Sequence, residues 1–172
     1  MREWSNSELS LLQGLGTQVK YMDADGLEEL FPDRNIVEII SQSCTLGIFN
    51  RDKLSVSFIR ECVDAINEAK SLMGFDRIDF GKSVVDKGYI LSMNSGPYGN
   101  YLPIIRCASK REIWYNIVSL KYTTCKDLLY NIRATEKLLP IQSSESTSYK
   151  DCKQTLNNLR KMLNRLDSLF IE

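Results

Sequence analysis

The sequence predicts a mainly α-helical chain with one small β-hairpin, an α+β arrangement. Three observations carry this. Serine and glutamate recur at capping-box spacing before apolar stripes, as at Ser5/Glu8 and Ser109/Glu112. Leu156, Leu159, Leu163, Leu166 and Phe170 follow an unbroken three-four-three-four spacing. Two β-rich aromatic runs, Tyr89–Met93 and Tyr101–Cys107, flank a glycine- and proline-containing loop over 94–100. The expected organisation is a three-helix, helix-turn-helix-like head over 1–45, a helix plus hairpin over 46–108, and a long helical hairpin over 109–172.

Each element has its own local cause. Ser5 and Glu8 form a capping box and Trp4 and Leu9 a hydrophobic staple, so the first helix starts near Asn6. Leu9, Leu12 and Leu15 form its stripe until Gly14 and Gly16 weaken it. Asp23 or Asp25 caps a second helix through Leu27, Leu30 and Phe31, which Pro32 stops. Asp33 is expected to cap a third helix, with Ile36, Ile39 and Ile40 on one face. Asn50 is then expected to cap a helix running to Leu72, with Gly74 ending it. A short helix is expected around Gly81–Asp86, and the hairpin follows, with Pro103 placing its second strand at an edge. Val118, Cys125, Ile132 and Leu139 repeat every seven residues in a long helix that Pro140 terminates.

Composition removes several chemistries. Histidine is absent, which excludes serine triads, Cys-His dyads and histidine-containing zinc sites. No phosphate-binding G-x-x-x-x-G-K-[ST] loop occurs, and Gly14-Leu15-Gly16 lacks the third glycine of a dinucleotide fingerprint. The five cysteines are odd in number and contain no C-x-x-C pair, so they read as small buried apolar residues in a reducing compartment. No run of about 18 apolar residues occurs and no basic leader opens the chain, so neither secretion nor membrane insertion is expected. The expectation is a non-enzymatic protein without a cofactor or metal.

Trp4 near the start of helix one, Leu30-Phe31-Pro32 closing helix two and Asp33-Arg34-Asn35 opening helix three resemble the Myb/SANT three-helix repeat over residues 3–44. Two of the family's three aromatic positions differ, with Ala24 and Ser43 where tryptophans are expected. The resemblance implies either DNA reading or, in the SANT manner, protein docking, and it implies a nuclear location; a cytoplasmic one is the alternative.

Charge separates these uses. Residues 1–45 hold three basic and eight acidic residues, whereas 46–172 hold 19 basic and 14 acidic. An acidic surface repels DNA. The resemblance puts the base-reading positions near Val37, Ile40 and Ser41, two of them apolar, so helix three is expected to contact protein. The plainer meaning is that these residues pack against the rest of the chain. The leucine seam has two meanings as well: an antiparallel hairpin with the preceding helix, or self-association and partner binding through a coiled coil. The expected partner-binding residues are thus Val37, Ile40, Leu156, Leu159, Leu163, Leu166 and Phe170. The alternative is a DNA-binding regulator using helix three or a winged hairpin, with Arg34, Lys82, Lys87, Lys153, Arg160 and Lys161 on nucleic acid.

Overall fold

The computed structural model describes residues 2–51, 53–82, 88–93, 104–141 and 146–171. The head contains α1 (Asn6–Leu15), a 3-10 segment (Gly16–Tyr21), α2 (Ala24–Leu30) and α3 (Ile36–Thr45). The Ser5/Glu8 capping box is formed in full, and Gly16, at φ 51°, leaves α1 in a conformation that a side chain would resist. Asp23 caps α2 by accepting from the Gly26 N–H at 2.7 Å. The cap of α3 is Asn35 and not the expected Asp33. Residues 31–34 instead form a turn closed by Arg34 N–H donating to the Phe31 carbonyl at 2.9 Å. Asn35 then exchanges capping bonds with Glu38, each 2.9 Å, satisfying two orphan amides where Asp33 could satisfy one.

Helix α4 (Val56–Leu72) is capped by Ser55. The expected cap, Asn50, is otherwise engaged: its Oδ1 accepts from Arg111 and Tyr115. Gly74, at φ 77°, turns the chain out of α4. A second difference follows at once. Gly81 and Lys82, expected in a short helix, belong to strand β1 (Ile78–Lys82), which pairs antiparallel with β2 (Tyr89–Met93). The cause is tertiary: the Asn67 side chain accepts from the Ile78 N–H and donates to its carbonyl, both at 2.7 Å, anchoring the strand to α4. β2 pairs on its other side with β3 (Ile104–Cys107), so the sheet has three strands in the order β1-β2-β3.

Helix α5 (Lys110–Leu138) starts at Ser109, and α6 (Thr147–Phe170) returns antiparallel beside it. Glu112 reaches one residue further back than a capping box requires, accepting from the Ala108 N–H. α5 is the centre of the molecule and touches α2, α3, α4, α6 and the sheet. Buried residues from all three expected segments, among them Leu12, Ile39, Ile66, Leu91, Leu128 and Leu166, form one hydrophobic core. Ion pairs Lys126–Glu28 and Arg133–Asp25, each 2.6 Å, join the acidic head to α5. No helix among the described residues is long and apolar enough to cross a membrane.

Candidate functional site

The head turns inward around one cation. Arg34 follows the Pro32 turn, and its side chain is fully buried. Its guanidinium lies 4.3 Å from the centroid of Trp4, which in turn meets Phe31 edge-on. It donates to both carboxylate oxygens of Glu8 at 3.1 Å, to the Arg2 carbonyl at 2.7 Å and to the Glu3 carbonyl at 2.6 Å. The Arg34 hydrogen bonds, with help from the Ser5 amide, hold the Glu8 carboxyl down at about 2. Arg34 therefore joins the first residues of the chain to the turn before α3. Buried and engaged in these four hydrogen bonds, it is not presented on the surface as the nucleic-acid alternative requires.

The expected partner-binding residues divide. Val37 stands 48 % exposed on α3. Ile40, Leu156, Leu159 and Leu166 are core, so of the two meanings of the leucine seam the intramolecular hairpin is the one that forms. Each such side chain contributes roughly 2 kcal/mol by leaving water, which explains why the seam closes on its own chain. Leu163 and Phe170 are partly buried against that core, and Phe170 stacks on Trp114 at 5.5 Å. Lys153, Arg160 and Lys161 lie exposed on the outer face of α6, where Arg160 pairs with Glu136 at 2.7 Å. Lys82 lies in β1, and Lys87 and the expected wing at 94–100 fall outside the described residues.

A cleft of about 260 Å³ opens between residues 20–24, α5 and the end of α6. Lys121 reaches it from within the core and pairs with Asp167 at 3.1 Å. Beside it, burial pushes the Cys125 thiol up to about 12, and the buried Tyr122 hydroxyl donates to the Val19 carbonyl at 2.9 Å. A matched lysine and a protonated thiol make this an ion-paired packing site with little nucleophilic character. Burial likewise raises Cys44 and Cys62 to about 12. Among the described residues, no three cysteine or acidic side chains group as metal ligands. Lys121 was visible as a charge within the apolar register of Val118 and Cys125, although nothing local named Asp167 as its partner.

A scan against protein-family models finds no match, and searches of curated proteins and of solved structures find none either.

Proposed function

We propose that the protein is a non-enzymatic interaction subunit whose acidic three-helix head docks a basic, amphipathic segment of a protein partner. The observation that carries this reading is the capture of two of the head's three cations. Arg34 is consumed by Glu8, and Arg2 is shared between Glu8 at 2.8 Å and Asp33 at 3.3 Å. Glu3, Asp23 and Glu29 remain exposed, and so do the apolar Leu30 on α2 and Val37 on α3. A surface of exposed acids around a few aliphatic side chains complements a positively charged helix and opposes a polyanion. A place in a nuclear or chromatin-associated assembly is part of the proposal, and it rests on the resemblance of residues 3–44 to the SANT repeat. DNA binding keeps less support, because the arginine that would open a recognition helix is occupied.

Two titrations at low salt test this, with a basic amphipathic helical peptide and a duplex DNA as probes. The peptide should bind, and Val37→Ala should weaken it about fivefold, close to 1 kcal/mol, without changing the melting temperature. Duplex binding that falls steeply with salt, together with no peptide binding, would overturn the reading.

A further inference from the structure

A second cleft, of about 340 Å³, is lined by Asn50, Arg51, Leu54, Arg111, Trp114 and Tyr115. Among the described residues its lining holds two guanidinium groups and no carboxylate. The Arg51 guanidinium lies over Phe58, its carbon 3.9 Å from the ring centroid, with Trp114 at 5.6 Å. Its Nη1 is out of contact with solvent and has no hydrogen-bond partner among the described residues. Among the described residues Arg111 is held by neutral groups: Nε donates to the Tyr115 hydroxyl at 2.7 Å and Nη2 to Asn50 Oδ1 at 2.6 Å. Tyr115 donates to the same Asn50 oxygen at 2.8 Å, closing a ring of three side chains. Trp114 donates to the Phe49 carbonyl at 2.9 Å, which fixes the backbone on which Asn50 and Arg51 stand.

Two like charges with no counter-ion among the described residues repel each other, and a guanidinium donor without an acceptor, as at Arg51 Nη1, costs free energy. Proteins normally resolve both by pairing, as this chain does at Arg34, Arg133, Arg160 and Arg165. Here aromatic rings and neutral oxygens hold the two arginines in place, and neither has a carboxylate partner among the described residues. Donors fixed before a ligand arrives lose little entropy when it binds. We propose that this cleft binds an oxyanion, a phosphate or carboxylate group carried by a small molecule, between Arg51 and Arg111. Guanidinium groups suit both anions, because their planar donor pairs match two oxygens at once. A cleft of this volume is at the lower end of small-molecule sites, and two cations are too few to follow a nucleic-acid backbone.

The full chain is titrated by calorimetry and amide NMR with inorganic phosphate, pyrophosphate and citrate, at constant ionic strength with chloride as the reference. The expected result is saturable binding of at least one of them in the millimolar range or tighter, with shifts at residues 50–54 and 111–115. Preference for citrate over the phosphates, or the reverse, identifies the anion class. Arg51→Met and Arg111→Gln should each weaken it about tenfold or more, while Lys153→Met leaves it unchanged. Circular dichroism checks that each variant is folded, and Arg51→Lys, which keeps the charge, serves should Arg51→Met fail to fold. No saturable response to any of the three anions, or binding equal in the wild type and both folded arginine variants, overturns the proposal. Neither outcome bears on the peptide titration, which reads the head.

Discussion

Arg34 and Arg51 are both laid against an aromatic ring, at 4.3 Å from Trp4 and 3.9 Å from Phe58, yet they serve opposite ends. Arg34 meets a carboxylate on one side and two backbone carbonyls on the other, so its charge and its donors are spent inside the fold. Among the described residues Arg51 meets the rings of Phe58 and Trp114, and the arginine across the cleft is held by an amide and a phenol. A cation matched within the chain is a structural part, whereas one held in place and left unmatched is available to something outside. The difference lies in the partners, since the two side chains are chemically the same.

The largest effect is expected at the matched cation. Arg34→Met removes the bonds to Glu8 and to the first residues of the chain and leaves Glu8 with only the exposed Arg2 as counter-ion. The melting temperature should fall by about 10 °C, in keeping with the heavy cost of breaking one half of a buried pair. Arg34→Lys should recover only part of this, because one ammonium cannot reach Glu8 and two carbonyls together. A fall of a degree or two would mean that the head is held by its apolar contacts alone.

Acid probes the same pair from the other side. The folded Glu8 carboxyl sits at about 2, below the ordinary 4.5 of a glutamate. A depressed carboxyl favours the folded state above the ordinary value, and that contribution is lost as the pH falls towards the folded one. The head should therefore loosen between about pH 4.5 and pH 2, followed by the indole N–H resonance of Trp4. In Arg34→Met the loosening should begin at a higher pH, since the main cause of the depression is gone. An unchanged profile in that variant would separate Glu8 from Arg34.

What the sequence allowed one to read follows the distance between cause and effect. Ser5, Ser109 and the stripes of α4, α5 and α6 were legible because a cap and its helix, or a residue and its neighbour one turn on, lie within a few positions. The cap of α3 was misplaced by two residues, although the Asn35–Glu38 spacing was there to be read. Strand β1 was missed because its anchor is Asn67, 11 residues away in another element. The seam of α6 was legible as a seam, yet its spacing is the same for an internal hairpin and for a partner helix, and only the fold of α5 decides between them. Arg34 resembled a recognition residue because Glu8 is 26 positions away. The Arg51–Arg111 cleft left no local trace, for its members are about 60 residues apart and only the fold brings the two guanidinium groups to one lining.

A smaller effect is expected inside α5. Thr124 is buried at 1 % exposure, and its hydroxyl has no hydrogen-bond partner among the described residues. Thr124→Val keeps the shape and removes the unpaired group, so stability to denaturant should rise by about 1 kcal/mol. A loss of similar size would show that the hydroxyl is satisfied by a buried water, and then an unpaired donor such as Arg51 Nη1 need not signal a ligand either.

The smallest effect is expected where the comparison is sharpest. Arg51→Met gives up a cation over an aromatic face, worth about 1 kcal/mol, and keeps an unbranched chain to lie on Phe58. Against this it removes an unpaired buried donor and the repulsion from Arg111, two terms of similar size and opposite sign. The net change in unfolding free energy should stay within about 0.5 kcal/mol without added anion. Unfolding in urea measures it, and the same series with phosphate gives the discriminating result: the wild type should gain stability through binding and Arg51→Met should gain less. If Arg51→Met instead loses 2 kcal/mol or more in the absence of anion, Arg51 is a structural cation of the same kind as Arg34. The unmatched charge would then be a cost that the core absorbs, and the cleft would have no claim on a ligand.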